Sequence, residues 1–150
     1  MTKRQKIWIV VADGARASVY QRDGRAEPIS SVKHLASSES RLRDREIMAD
    51  KPGRNTGSEG VGRHGFEPRT DAHRHEEQEF AREVVAYLDS HADKADVDGV
   101  VLIASPHTLG DLRGLLPEGL KHKVTREIAK DLTHLDEFQL EDHLRQHEDV

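Results

Sequence analysis

The chain contains no cysteine. That excludes a disulfide scaffold, a thiolate zinc site and a cysteine nucleophile, and it fits a cytosolic protein. Long apolar runs are also missing. The strongest are IWIVVA (7–12) and VVLIA (100–104), far short of the ~20 residues of a membrane span. The basic start MTKRQK meets IWIVVA, but Asp13 cuts the run and no small-residue cleavage site follows. A secretory signal is therefore not expected, and the chain reads as cytoplasmic with no membrane partner. Aromatic residues make up only 4% and hydrophobic residues 35%, so the core is modest.

Charge is plentiful, at 34% of the 150 residues. Residues 1–75 hold 15 Lys/Arg against 10 Asp/Glu, and residues 76–150 hold 8 against 18. The formal net charge of −5 thus hides a basic first half and an acidic second half. Ten histidines would reverse the overall sign if all were protonated. Overall acidity argues against an indiscriminate nucleic-acid coat and leaves room for a local basic surface.

Residues 7–12 read as a buried strand. Asp13-Gly14 is a two-residue hairpin signal with both positions at positive φ, and ARASVYQ (15–21) is the return strand. Asp23-Gly24 marks a second turn, and PISSVKHL (28–35) a third strand with Ile29, Val32 and Leu35 as its apolar set. From Ser37 to Glu79 only seven residues are apolar, and five glycines fall between Gly53 and Gly65. Such a stretch cannot offset its own ordering entropy. A mobile loop is expected over 37–70, with at most a short helical turn around Arg41–Ala49.

Phe80, Val84, Tyr87 and Leu88 mark one face of a helix that Thr70 or Asp71 can cap. Val100–Ala104 reads as a central strand. Thr108 with Asp111 resembles a capping box opening a helix that Pro117 ends, with Leu109, Leu112, Leu115 and Leu116 inward. Leu120, Val124, Ile128 and Leu132, spaced by four, favour a helix over KHKVTREIAKDLTHL. A closing helix runs from about Asp136 with Phe138, Leu140 and Leu144 apolar. The expected architecture is a single α/β domain over 1–150 around one mixed sheet, antiparallel at its N-terminal end and then alternating helix and strand.

IWIVVADGARASVYQ, the Gly/Arg-rich loop and VLIASPHTLGDLRGLLPEGLKHKVTREIAKDLTHLDEFQLEDHL together resemble the bacterial host-attachment protein family, nearly end to end. That family is similar in turn to the middle domain of archaeal and eukaryotic class-I peptide release factors and of Pelota. The resemblance implies a ribonuclease-H-like α/β fold and, against the four-residue spacing, a strand over KHKVTREIAK; we side with the resemblance. The release factors carry a Gly-Gly-Gln tripeptide on the equivalent loop. Here GRNTGSEGVGRHGFEPRTD contains no Gln, so peptide release does not carry over. The family is named for a host-attachment phenotype, for which an indirect role fits this chain better than that of a surface adhesin.

Gly60-Val61-Gly62-Arg63-His64-Gly65 matches GxGxxG, but it neither follows a strand nor opens a helix, so it is not read as a dinucleotide turn. It is a flexible linker or a nest of backbone N–H groups for phosphate. Seven basic side chains fall within 41–69, with five acidic ones among them. The family resemblance turns this stretch into a candidate RNA contact, with Arg54, Arg63, His64 and Arg69 on phosphates; Phe66 stands alone as a stacking group. His73 and His75 point to different sides of a helix, and the polar helix start is preferred to a metal site. Asp13 could head a metal-dependent nuclease site, but VVLIASPH ends without the partner carboxylate, and turn formation explains Asp13 more simply. The expectation is a non-catalytic, translation-associated module for ribosomal or transfer RNA, without metal or cofactor. The alternative is a protein-interaction adaptor using the acidic C-terminal half, including Glu141 and Asp142.

Overall fold

A computed structural model describes residues 4–49 and 71–147. Five strands, β1 (Lys6–Ala12), β2 (Arg16–Asp23), β3 (Ser30–Ala36), β4 (Gly99–Ala104) and β5 (Val124–Ala129), form one sheet in the order β3-β2-β1-β4-β5. β1 pairs antiparallel with β2, and β2 with β3; β1 and β4 pair parallel, as do β4 and β5. The helices are α1 (Ser38–Ala49), α2 (Asp71–His91), α3 (Pro106–Leu115), the single turn α4 (Glu118–Lys121) and α5 (Glu137–Gln146). The mixed α/β sheet expected from the sequence is the one observed.

Alternation along each strand divides the core in two. Trp8, Val10, Ala17, Val19, Val100 and Leu102 face Phe80, Val84 and Leu88 of α2 and Leu109 and Leu112 of α3. Ile9, Val11, Tyr20, Val101 and Ile103 face Leu132, Leu140 and Leu144, the last two from α5. Every residue of β4 is buried, as expected for a strand covered on both sides.

The structure corrects several local expectations. Asp13 and Gly14 do not form a positive-φ hairpin; three residues join β1 to β2, and Gly24 is the described glycine with a left-handed backbone (φ +96°). α3 opens at Pro106 after Ser105 with no side-chain cap. Thr108 is buried within it, and Asp111 pairs with Arg74 instead of capping. Pro suits the first turn because its missing N–H would find no partner there anyway. The residues spaced by four are shared among α4, β5 and the segment after it, so the strand implied by the resemblance is present over 124–129. Of the three apolar residues of the closing helix, Leu140 and Leu144 are buried while Phe138 is 83% exposed, and Val32 also faces outward on the edge strand β3. α5 begins as expected: Asp136 and Gln139 form a reciprocal capping box, with side-chain bonds of 2.8 and 2.9 Å. Residues 38–49 of the expected 37–70 loop are helical; residues 50–70, and with them the proposed Thr70 cap, lie outside the described residues.

Candidate functional site

The β1–β2 connection is built around one carboxylate. Asp13 Oδ1 accepts hydrogen bonds from the backbone N–H groups of Ala15 (2.8 Å) and Arg16 (2.7 Å), and Oδ2 accepts from Thr133 Oγ1 (3.2 Å). An Asx turn thus does what positive φ was expected to do. Gly14 lies close under Glu77: a Cβ there would sit 2.6 Å from Glu77 Oε2, so the carboxylate would have to shift. Glu77 in turn stands near His73 Nε2 (3.8 Å) and His107 Nε2 (4.0 Å). Beside it, Arg74 donates to both oxygens of Asp111 (2.6 and 2.7 Å), clamping α2 to α3. That bond holds the Asp111 carboxyl below its ordinary range and raises the Arg74 guanidinium.

α1 is tied to the same connection. The Ser37 N–H donates to Ala15 O (2.7 Å), and Ser37 Oγ accepts from the Ser40 N–H (3.0 Å) as a helix cap. A crevice of about 150 Å³ lies between the helices, with Asp13, Glu39, Glu76 and Glu77 against Arg43 and His73. It is acidic and does not suit phosphate.

The neighbouring groove does. On the α5 side of the sheet, beside β2 and β3, a groove of about 750 Å³ is lined by Arg16, His34 and Arg41, with Asp136 and Glu137 as its acidic members. His34 is held between Ser18 Oγ (2.9 Å from Nδ1) and Ser31 Oγ (3.0 Å from Nε2), and its ring meets Tyr20 edge-on at 6.3 Å. The Arg41 guanidinium donates to Ala36 O and to Ser38 Oγ. Arg16 and Ser18 share a strand face, as alternate residues do, and Ser18 is paired with His34 across the ladder. That spacing was the available sequence signal. Which strand face stays uncovered was not.

Arg54, Arg63, His64 and Arg69 lie outside the described residues. In the chain they fall between α1, whose start borders the groove, and α2, whose start borders the crevice. His73 and His75 pair separately with Glu77 and Glu79, each four residues on. Among the described residues, no group of three or more His, Asp or Glu side chains could hold a metal ion. None of the described helices is long and apolar enough to cross a membrane. Glu141 is not an exposed acid: it is 17% exposed, accepts from Arg22 Nη2 (2.6 Å) and the Ile29 N–H (2.7 Å), and fastens α5 to the sheet.

The family described as "Protein required for attachment to host cells" matches residues 8–144. The chain belongs to that family. The fold is similar to an archaeal translation termination factor, aRF1 (TM-score 0.53, 13% identity, 96% of this chain and 39% of that one). It is also similar to a structure titled "Archaeal protein" (TM-score 0.51, 15% identity, 97% and 34%). This chain therefore spans well under half of either solved chain. "Uncharacterized protein RP470" of Rickettsia prowazekii (strain Madrid E) is 44% identical over 69 residues, 45% of this chain and 46% of that protein.

Proposed function

We propose that this host-attachment family member is a non-catalytic, translation-associated module that docks on ribosomal or transfer RNA in the cytoplasm. The observation that carries the reading is the likeness of nearly the whole chain to part of a translation termination factor. The groove beside β2 and β3 supports it, since it gathers Arg16, His34 and Arg41 along one wall, and guanidinium groups are suited to phosphate oxygens. Arg54, Arg63, His64 and Arg69 extend the same chemistry along the chain from α1 to α2. Asp13 Oδ1 closes the β1–β2 turn and Oδ2 accepts from Thr133 Oγ1, which favours a structural role over a nuclease one. The attachment phenotype in the family description is then an indirect consequence of altered translation.

The test is sedimentation of the purified protein with ribosomes through a sucrose cushion at low and high salt. Co-pelleting that salt weakens, and that Arg63→Ala/His64→Ala and Arg16→Ala/Arg41→Ala each reduce without loss of helix signal, is the expected result. No co-pelleting at low salt overturns the reading. One observation favours a second reading, a protein-interaction adaptor: Phe138 is 83% exposed beside Glu137 on α5. Pull-down abolished by Phe138→Ser with RNA binding intact would select it.

A further inference from the structure

The groove beside β2 and β3 gathers two opposite charges that the chain leaves unbalanced. Arg41 of α1 is exposed and donates to neutral acceptors, Ala36 O and Ser38 Oγ. Glu137, at the start of α5, forms no ion pair or hydrogen bond among the described residues. Both line the groove, and they do not pair with each other. Opposite charges side by side and unpaired are a template for a surface that carries the same two charges in reverse order.

Phe138 follows Glu137 and is the most exposed of the large apolar side chains among the described residues. A single exposed apolar residue is ordinary, but this one stands at the lip of the groove, whose apolar lining includes Tyr20, Leu35 and Leu135. Knob, hole and both charges thus share one patch of surface. A two-fold axis through such a patch sets each copy's Phe138 against the other's groove and makes the Arg41–Glu137 contact twice. Edge pairing of β3 with a second β3 is a poorer route, because its ladder with β2 is irregular at Val19/Tyr20 and Lys33 sits on the strand.

We infer that the partner for this face is a second copy of the chain, in a two-fold dimer with Phe138 of each copy seated in the other's groove and Glu137 paired with Arg41. Two aromatic anchors and two rim ion pairs make a small interface, so a monomer–dimer equilibrium in the micromolar range is expected. Dimerisation does not rest on the RNA reading; it closes the same groove, so RNA and a second copy exclude each other there. The test is sedimentation velocity of the full chain from about 5 μM to about 1 mM, at ~0.15 M salt to screen the like net charges of the two copies. Phe138→Ser should raise the Kd about tenfold or more. Arg41→Glu and Glu137→Arg should each abolish association, because each sets like charges together at both contacts. An equimolar mixture of those two variants should associate again, since one contact is then the native pair and the other the same pair reversed. Circular dichroism checks that each variant folds; if a charge variant does not, Phe138→Ser, at an exposed site, decides alone. Monomer at every concentration, association unchanged by Phe138→Ser, or a mixture of folded charge variants that stays monomeric overturns the inference. Phe138→Ser removes no cation of the groove, so its ribosome sedimentation tests the proposed function apart from dimerisation.

Discussion

The two faces of the sheet are covered unequally. One carries α2, α3 and α4, and its apolar cluster runs from Trp8 and Val19 to Leu116 and Leu120. The other has α5 and the segment leading into it, and its cluster is little more than half as large. A ten-residue helix is about 15 Å long and cannot roof five strands. The uncovered end of this face keeps polar side chains on β2 at Arg16 and Ser18, whereas Arg22 at the other end is buried against Glu141 of α5. The cationic groove lies at that uncovered end, beside the start of α5. The thick face buries the larger apolar cluster, and the thin one leaves polar surface uncovered.

The two faces also use ion pairs differently. Arg74 and Asp111 clamp α2 to α3 at the rim, whereas Arg22 and Glu141 fasten α5 from inside. Four measurements sharpen the contrast. Trp8→Ala empties the thick face and should cost about 4 kcal/mol, read from urea denaturation. Glu141→Ala leaves the buried Arg22 guanidinium and the Ile29 N–H without their acceptor. It should cost about 3 kcal/mol, and a cost near zero would mean that α5 is held by Leu140 and Leu144 alone. Asp111→Asn should lower the Tm by less than either. Since Arg74 holds the Asp111 carboxyl below its unfolded value of about 3.9, the bond contributes fully above that pH. Its contribution fades as pH falls through the lower folded value. The Tm difference between Asp111→Asn and the parent should therefore shrink on acidification, and a constant difference would point to packing instead. Phe138→Ser should change stability by less than about 0.5 kcal/mol; a larger loss would mean that α5 is covered more fully than its exposure indicates.

The elements most legible in the sequence were those with two-sided or regular burial. β1 and β4 stand out as apolar runs, and α2 shows its inward face at Phe80, Val84 and Leu88. Elsewhere the pattern carried two meanings. A spacing of four is shared by one face of a helix and one face of a strand, so Val124 and Ile128 alone could not decide β5. Its pairing with β4 is also irregular at Val100/Val101, and Val124 packs toward one cluster while Ile128 belongs to the other. β3 kept an imperfect period because it is an edge strand with little to bury. Thr108 and Asp111 had capping spacing, yet Asp111 was recruited by Arg74 from a distant helix, a partner invisible to local reading. The cationic groove needed both a strand face, which alternation gives, and knowledge of where α5 stops, which only tertiary structure gives.

β1 joins two kinds of pairing. On one side it zips to β2 through a three-residue connection, and β2 to β3, all by short-range contacts. On the other side its partner β4 comes only after α1, residues 50–70 and α2 have passed. Contacts of the first kind form quickly and those of the second slowly. During synthesis the three-stranded meander can exist while the far edge of β1, lined by Trp8, Val10 and other apolar residues, still waits for Val100–Ala104. Refolding should accordingly show a fast phase reported by the meander and a slower one set by the parallel pairing. Until that second phase is complete, the open edge of β1 is where the folding chain is most exposed to aggregation.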